Sequence, residues 1–371
     1  MPDKRTSSQA ASEYLVDRNY QDFILPGVSR TFALTIPVLP GHLAEVVTNA
    51  YLLCRIADTI EDDPGLDECQ KGVFHRRFLS AIKGKEDAGE FAAALAPLLS
   101  PQVLPDERDL VRNAAKVVRM TRGFTAKEQE ALIRCLTIMC SGMPKFQRNR
   151  NLRGLRDLTE LGAYCYVVAG VVGEMLTDLF CIHCPELVKK RVELRSLAVS
   201  FGQGLQMTNI LKDIWDDRRG GRCWLPRSMF ADRRLQFERL EEFHGTHTFA
   251  AGMNSLIAVT HRHLQNALEY TCHIPAREAG IRRFCLWALG LAVMTLQKLH
   301  RNPQFTSGDQ VKVSRRTVRA TMLAANLMLS SNRSLRWLFR FAASGLPLWR
   351  ADRATWMRMV GPEGSLGAPR G

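Results

Sequence analysis

Apolar residues recur at spacings of three and four along most of the 371-residue chain, and strictly alternating apolar runs are few. Spacings of three and four place side chains on one face of an α-helix, whereas alternation would indicate a β-strand. Thr125 and Glu128 form the pattern of a capping box, which marks the start of a helix. We therefore predict an all-α protein with helices over 41–62, 68–82, 107–120, 126–142, 157–181, 188–217, 249–270, 277–299 and 314–330.

The helical pattern continues without a fixed-period repeat or a Gly/Ser linker, so we predict one large helical domain over residues 14–330 and a basic tail over 331–371. The longest uncharged apolar run near the C-terminal half, 284–297, is shorter than the about 20 residues that span a bilayer. No signal-peptide pattern opens the chain, and the cysteines are scattered. We expect a cytoplasmic monomer with free thiols and no transmembrane helix, in which His261 and His263 are exposed.

The formal net charge of +14 indicates affinity for polyanions. Residues 311–371 contain eleven Lys or Arg and two acidic residues, so this C-terminal stretch carries +9 of that charge. Arg and Trp are mixed there at near-helical spacing, which is typical of a helix that lies on an anionic membrane. We predict peripheral contact with the inner face of the membrane, although the pattern also fits a packed helix or a disordered tail. The residues concerned are Arg333, Arg336, Trp337, Arg340, Trp349, Arg350, Arg353, Trp356 and Arg358.

A first acidic cluster ends a largely apolar helix. Asp58 and Asp62 are four residues apart and share a helix face, with Glu61 beside them and Arg55 one turn earlier. Like charges at this spacing destabilise a helix unless something offsets the repulsion, and a divalent cation would do so. A single acidic run is more often a solvated helix end, so this cluster alone does not establish a metal site.

A second acidic cluster follows another apolar helix. Gln206, Asn209, Asp213 and Asp217 fall on one stripe of that helix, and Asp216 lies next to it. A polar stripe on a core-like helix is costly unless it lines a wet or metal-filled cavity. Two such clusters favour a Mg²⁺ site, because Mg²⁺ prefers hard oxygen ligands from carboxylates and substrate phosphates.

The chain resembles the squalene/phytoene synthase family, and within it the squalene synthases, from about residue 21 to about residue 325. The resemblance implies an all-α isoprenoid-synthase fold, a single helical bundle in which the two acidic motifs face each other across a central cavity. It rests on five blocks in the family's order: Ser29-Arg30-Thr31-Phe32, residues 51–62, residues 164–173, residues 204–226, and Phe284-Cys285 followed by Val311-Lys312-Val313.

The resemblance also implies that two farnesyl diphosphates condense head to head to presqualene diphosphate, which NADPH then reduces to squalene. Mg²⁺ and NADPH are the implied cofactors. The resemblance assigns metal binding to Asp58, Glu61, Asp62, Asp213, Asp216 and Asp217; diphosphate binding to Ser29, Arg30, Arg55, Gln206, Asn209, Lys212 and Arg222; catalysis to Tyr51, Arg55 and Tyr164; and cofactor binding to Arg30, Asn209, Phe284 and Lys312.

Two alternatives stay open. After Phe284-Cys285 the chain continues with Leu286-Trp287, where animal and fungal squalene synthases carry a Pro-Gln pair, so the same condensation could end at presqualene diphosphate, dehydrosqualene or phytoene. A basic helical protein that binds RNA or lipid is the alternative from another class. Acidic stripes repel a polyanion and no nucleic-acid motif is present, so we expect no nucleic-acid partner.

Overall fold

A computed structural model describes residues 4–29, 31–147, 151–230 and 236–349. These residues form sixteen α-helices and short 3₁₀ or π segments, without a β-strand; one isolated bridge pairs Leu155 with Pro226. The chain divides into two compact units. The first contains residues 1–145 and 178–185, and the second contains residues 146–177 and 186–371.

Eight helices begin in the first unit, and in one of them, α3 (Gly41–Asp62), the side chains of Leu52, Leu53 and Ile56 are fully buried. Helices α1, α4, α6 and α7 all pack against it. The eight helices are α1 (Lys4–Val28), α2 (Phe32–Thr35), α3 (Gly41–Asp62), α4 (Glu68–Ile82), α5 (Ala88–Leu95), α6 (Pro105–Arg112), α7 (Ala114–Gly123) and α8 (Ala126–Gln147).

A buried polar bridge fixes the rotation of α3 against α7. Asn49 Nδ2 donates to the carbonyl of Val117 at 2.8 Å, and Thr121 Oγ1 donates to Asn49 Oδ1 at 2.8 Å. Asn49 precedes Asp58 by nine residues, or two and a half helical turns, so the two side chains lie on opposite faces of α3. Locking Asn49 onto α7 therefore turns the Asp58 face away from α7.

The capping box predicted at the start of α8 is confirmed. Glu128 Oε2 accepts hydrogen bonds from the Thr125 backbone N–H at 2.8 Å and from its hydroxyl at 2.7 Å. The Thr125 hydroxyl accepts in turn from the Glu128 N–H at 3.4 Å. The sequence signal sufficed here because both partners lie three residues apart.

The second unit is built on α11 and α13, which pack along each other, with α14 against both. The last six residues of α10 belong to the first unit. The helices that begin in the second unit are α9 (Leu158–Cys165), α10 (Val171–His183), α11 (Arg191–Lys212), α12 (Ile214–Arg219), α13 (His247–His273), α14 (Ala279–Arg301), α15 (Arg315–Leu327) and α16 (Asn332–Ala342).

The expectation that His261 and His263 are exposed is wrong, because both side chains are buried. His263 Nδ1 lies 2.8 Å from the hydroxyl of Ser200 on α11, and His261 Nδ1 lies 3.1 Å from the carbonyl of Pro347. Burial lowers the pKa of His263 to about 3, so this ring is neutral. Hydrogen bonds from distant segments make the burial of these polar rings tolerable. The ten cysteines are free thiols, as predicted.

Two stretches, Leu158–His183 and Ala279–Arg301, are long and apolar enough to cross a membrane by length and composition alone. Core helices of soluble proteins have the same properties, and 61% and 50% of the two apolar windows are buried inside the protein.

The described part of the tail packs on the second unit. Leu335 and Phe339 of α16 are buried, and α16 contacts α13 and α14. Arg336 Nη2 lies 2.7 Å from Glu269 Oε2, and Gln297 Nε2 donates to the carbonyl of Ala342 at 3.0 Å. The tail residues Arg350, Arg353, Trp356 and Arg358 lie outside the described residues.

The Asn49 bridge yields a stability prediction. Asn49→Leu should lower the free energy of unfolding by about 1–3 kcal/mol, because it removes the two buried hydrogen bonds of Asn49, one to the Val117 carbonyl and one from the Thr121 hydroxyl. Urea unfolding followed by circular dichroism measures this. The exposed Asn19→Leu substitution on α1 is the control, and equal midpoints for the two variants would show that the bridge does not stabilise the fold.

Candidate functional site

The first acidic motif occupies the C-terminal end of α3. Asp58 is half-buried and Asp62 is exposed. Burial raises the pKa of Asp58 to about 7, with repulsion from Asp62 as the next cause. Burial by itself would lower the pKa of Arg55, but its ion pair with Glu107 on α6 outweighs that and raises it, so Arg55 stays charged beside the carboxylates. This end of α3 concentrates negative charge that a cation would relieve.

Two buried basic side chains of α4 hold the third acidic residue, Glu61. His75 Nε2 lies 3.4 Å from Glu61 Oε2, and Lys71 Nζ donates to the Glu61 carbonyl at 2.6 Å. The sequence analysis missed this pair. Its only local signal is a Lys and a His four residues apart on the otherwise apolar face of a predicted helix.

The adjacent carboxylate, Asp63, shapes the turn after α3. It accepts hydrogen bonds from the backbone N–H of Gly65 at 2.6 Å and of Ser100 at 2.9 Å. Within the acidic run, Asp63 is therefore occupied by backbone donors, whereas Asp58 and Asp62 lie on the common face of the helix.

Tyr51 and Ser29 meet at the entry to α2. Tyr51 Oη donates to the Val28 carbonyl at 3.1 Å, and its ring lies 4.9 Å from that of Phe32. Ser29 Oγ accepts from the Phe32 N–H at 3.1 Å. Burial raises the pKa of Tyr51, so its hydroxyl is a proton donor at neutral pH. Arg30 lies outside the described residues.

In the second unit, Tyr164 lies in the last turn of α9, directly before a π-helical turn over Tyr166–Gly170. Its ring stacks on that of Trp224 with centroids 4.1 Å apart and planes 4° apart, and Phe146 contacts it edge-on. π-Helical turns recur at functional sites, because they displace side chains from the regular helical positions. The ring of Tyr164 is thus fixed by aromatic contacts, a feature that its sequence neighbours do not predict.

Backbone pairing positions Trp224. The Leu155 N–H donates to the Leu225 carbonyl at 2.9 Å, and the Arg227 N–H donates to the Leu155 carbonyl at 2.8 Å. These two bonds tie the loop that carries Trp224 to the segment before α9. The partners are about seventy residues apart, so no local sequence signal announces them.

The second acidic motif spans a break between α11 and α12 at Asp213, whereas the sequence pattern predicts one helix over 188–217. The break keeps the helical register, because the N–H of Asp213 still donates to Asn209 and that of Asp217 to Asp213, both at 2.8 Å. Gln206 and these three residues therefore still follow one face. Burial raises the pKa of Asp213, while Lys212 Nζ, 3.2 Å from its carboxylate, partly offsets this.

The Gly220-Gly221 turn brings Arg222 back to the motif. Gly221 has a φ of +74°, which L side chains rarely adopt. The Arg222 N–H donates to the Asp217 carbonyl at 2.9 Å, and Arg222 Nη2 lies 3.6 Å from Asp217 Oδ1. The predicted diphosphate-binding residues Lys212 and Arg222 thus lie beside two predicted metal ligands, Asp213 and Asp217.

Asp216 has different neighbours. Arg219 donates to its Oδ1, and the N–H of Gly308 donates to its Oδ2 at 3.1 Å. Gly308 opens the turn that leads to Lys312, whose side chain is exposed. Phe284, which was also predicted to bind the cofactor, is buried in α14.

The carboxylates fit Mg²⁺ by the chemistry of their oxygens, and the pKa values of Asp58 and Asp213, raised first by burial, mean that their charged forms are incompletely stabilised. In the part of the chain that the structure describes, no group of three or more His, Cys, Asp or Glu side chains could hold an ion unaided. Mg²⁺ in proteins is commonly held by one or two carboxylates together with water and substrate phosphates. The residues therefore fit an ion that arrives with a phosphorylated ligand.

The raised pKa of Asp58 predicts a pH-dependent stability in protein treated with EDTA. The folded state binds this proton more tightly than the unfolded chain, so the stability contributed by the protonated carboxyl is present below pH 3.8 and is lost as the pH rises through about 7. Asp58→Asn should raise the free energy of unfolding by about 1–2 kcal/mol at pH 8, since solvent at the half-buried group reduces the full effect, and change it little near pH 4.

Urea unfolding at the two pH values measures the difference. Asp22→Asn on the exposed face of α1 is the control and should change neither value. If Asp58→Asn instead lowers the free energy of unfolding at pH 8, the charged Asp58 carboxylate does not destabilise the fold.

The squalene/phytoene synthase family model matches residues 25–317. Squalene synthase ERG9 of Gibberella zeae is 28% identical over 300 residues, which are 77% of this chain and 61% of that protein. Squalene synthase BSS of Botryococcus braunii is 28% identical over 332 residues, 85% of this chain and 66% of that protein. The chain thus spans less than two thirds of the length of these relatives.

Among solved structures, the complex of TcSQS with the ligand BPH1237 superposes with a TM-score of 0.71 at 21% identity, covering 94% of this chain and 97% of that one. A dehydrosqualene synthase in complex with a ligand superposes with a TM-score of 0.63 at 21% identity, covering 86% and 99%. These likenesses confirm the predicted all-α isoprenoid-synthase fold. Together with a family match over most of the sequence, they confirm the resemblance, and the chain belongs to the squalene/phytoene synthase family.

Proposed function

We propose that this protein condenses two farnesyl diphosphates head to head to presqualene diphosphate and reduces that product with NADPH to squalene. The observation that carries the proposal is the pair of acidic motifs at the ends of α3 and α11, each beside a cation, in a chain of this family. Arg55 accompanies the first motif, and Lys212 accompanies the second. A site that must hold Mg²⁺ and a departing diphosphate needs both kinds of charge.

The proposed reaction consists of a condensation and a reduction. Joining two farnesyl diphosphates into the cyclopropyl product releases one diphosphate and one proton. A hydride from NADPH then replaces the second diphosphate during rearrangement to squalene and leaves NADP⁺. The chain must therefore bind diphosphate, accept one proton and bind the phosphates of a dinucleotide.

In this proposal, diphosphate release depends on the two acidic motifs and on the basic side chains beside them. Asp58, Asp62, Asp213 and Asp217 would hold Mg²⁺, with Glu61 and Asp216 beside them, and the ion supplies charge neutralisation at the leaving group. Arg222 can donate to phosphate oxygens with its planar fork, whereas Lys212 contributes a point charge. The ion pair of Arg55 with Glu107 orients the guanidinium beside Asp58.

Proton transfer in the condensation falls to Tyr164. Its stacking on Trp224 restricts the ring, so that the hydroxyl keeps one direction during catalysis. Tyr51 is the second tyrosine of the proposed site, and its hydroxyl is already donated to the Val28 carbonyl. The aromatic contacts that orient the ring favour Tyr164 as the group that transfers the proton.

The NADPH-dependent step is supported by the charge around Lys312. The sequence has no acidic residue from 310 to 349, and the first turns of α15 add Arg315, Arg316 and Arg319, all exposed. Ser314 caps α15 by accepting from the Thr317 N–H at 3.2 Å. Phosphate groups are stabilised by basic side chains and by a helix N-terminus. Of the other proposed cofactor residues, Asn209 is exposed and Phe284 is buried.

A product that retains the diphosphate or lacks reduction is the second candidate. The Leu286-Trp287 departure favours it, and Trp287 Nε1 donates to Asn326 Oδ1 on α15 at 3.3 Å. Trp287 therefore braces α14 against the helix that follows Lys312. Dehydrosqualene or presqualene diphosphate would result if this arrangement excluded the dinucleotide.

We also propose that the outward face of α16 contacts an anionic membrane. Trp337 and Phe341 are 57% and 70% exposed and stack on each other with centroids 5.7 Å apart. Arg333 and Arg340 are exposed on the same face. Aromatic rings flanked by Arg are typical of helices that lie at a lipid surface, and a water-insoluble product gives such contact a purpose.

Purified protein incubated with farnesyl diphosphate and Mg²⁺, with and without NADPH, tests the function by mass spectrometry of the hexane and aqueous fractions. Squalene only in the presence of NADPH supports the whole proposal. Dehydrosqualene, or presqualene diphosphate regardless of NADPH, supports the second candidate. The Asp213→Ala variant is the negative control, and full turnover by that variant would remove the second motif from the site.

Tyr164→Phe should keep substrate binding and reduce formation of presqualene diphosphate by about 10²–10⁴-fold, the usual contribution of a positioned acid–base group. Single-turnover kinetics and a farnesyl diphosphate binding titration separate the two effects. Tyr51→Phe is the matched comparison, and we expect the smaller loss for it. Normal turnover by the Tyr164→Phe protein would exclude its proposed role.

The Trp337→Ser/Phe341→Ser double variant should float less with vesicles that contain phosphatidylglycerol, because it loses the apolar part of the contact while keeping the charge. High salt should weaken binding of the wild-type protein. Val192→Ser is the control, since Val192 is 87% exposed on α11 and is not part of this face. Equal flotation of the double variant and the wild type would exclude the α16 contact.

A further inference from the structure

The segment that leads to Lys312 is anchored at both ends. Phe305 and Val311 are fully buried, so the chain enters and leaves the turn through apolar contacts. His244 Nε2 lies 3.2 Å from the Phe305 carbonyl, and Lys298 Nζ donates to the Lys312 carbonyl at 2.7 Å. The backbone of Lys312 is therefore held, while its exposed ammonium group pairs with the exposed carboxylate of Asp309 at 3.4 Å.

The middle of the same segment lies directly on the second acidic motif. The Gly308 N–H donates to Asp216 Oδ2 at 3.1 Å. A Cβ atom at Gly308 would lie 2.9 Å from Asp213 Oδ1 and 3.0 Å from Asp216 Oδ2, so the backbone approaches both carboxylates more closely than a side chain allows. The turn and the acidic motif are in contact without an intervening side chain.

Arg219, which is exposed, bridges the 305–312 turn and the second acidic motif. Its Nη2 donates to Asp216 Oδ1, and its Nη1 donates to the Thr306 carbonyl at 3.4 Å. Thr306 is itself braced by Gln310, because the Thr306 N–H donates to Gln310 Oε1 at 2.9 Å. One guanidinium thus touches both the acidic motif and the start of the turn.

The neighbouring Arg218 has a different role. It is buried, with its Nε 2.7 Å from Glu241 Oε1 and its Nη1 donating to the Phe237 carbonyl at 2.8 Å. This bidentate pair, in which Arg218 is buried and Glu241 is exposed, fastens the Phe237–Phe243 segment to α12. Arg219 is exposed, and exposed ion pairs contribute only about 0–1 kcal/mol to stability, so its two contacts matter for the position of the turn more than for the fold.

We propose that Asp216 and Arg219 form a latch that holds the 305–312 turn on the second acidic motif and so positions Lys312 for the phosphates of NADPH. Asp216 and Arg219 are positioning residues in this scheme, and Lys312 is the group that touches the cofactor. The use of NADPH rests on the proposed function, whereas the latch itself rests on the contacts of Asp216, Gly308, Thr306 and Arg219.

Arg219→Gln tests the latch in the full chain. Hydrogen–deuterium exchange of the peptide 304–313 should become about three- to fivefold faster, the factor that corresponds to loss of one exposed ion pair. The KM for NADPH should rise by a similar factor, while the rate of presqualene diphosphate formation without NADPH stays unchanged. Asp216→Asn should accelerate exchange as well, and Arg219→Lys should restore part of the KM.

Arg239→Gln is the matched control, because Arg239 forms an ion pair with Glu242 three residues away but does not touch the turn. Unchanged exchange of 304–313 in both Arg219→Gln and Asp216→Asn would overturn the latch. Faster exchange with an unchanged KM for NADPH would overturn the role of the latch in positioning Lys312. If the wild-type protein consumes no NADPH, faster exchange still supports the latch, and the failure falls on the proposed reduction.

Discussion

The electrostatic cost of placing several carboxylates at the ends of two apolar helices dominates the proposed site. Burial and mutual repulsion raise the pKa of Asp58 to about 7. Basic groups surround each motif without cancelling its charge, and some of them are already engaged: Arg55 pairs with Glu107, and Lys71 binds the Glu61 carbonyl. A phosphate-bound cation would neutralise the residual negative charge. Without that cation the charge lowers the stability of the folded protein at the place where the ligand binds.

The carboxylates of the two motifs differ in the donors that they accept from. Asp63 shapes a turn through two backbone N–H groups, and Asp216 receives Arg219 and the Gly308 N–H. Asp58 and Asp213 keep raised pKa values and lie on the helix faces that carry the other acidic residues. A carboxylate that already accepts from donors is less available to a metal ion, so Asp216 is a weaker candidate for metal binding than Asp58.

Much of the fold could be predicted, because helix periodicity and capping are local. The bounds predicted for α3 and α4 agree with the structure, and the capping box of α8 forms as expected. The pattern missed α1, α2 and α5, merged α6 with α7 and α11 with α12, and did not anticipate the π-helical turn after Tyr164. Short helices and local changes of helical pitch depend on packing against distant segments, which apolar spacing does not report.

The sequence by itself determined the helical class, the spacing that aligns each acidic motif on one face, and the family to which the chain belongs. Only the tertiary structure decided which carboxylates meet backbone donors, that Trp224 stacks on Tyr164, that His75 supports Glu61, and that Gly308 rests on Asp216. The physical reason is separation along the chain. Helical faces follow from residues three and four apart, whereas the partners in the last three of these contacts are 14 to 92 residues apart and meet only when the chain folds.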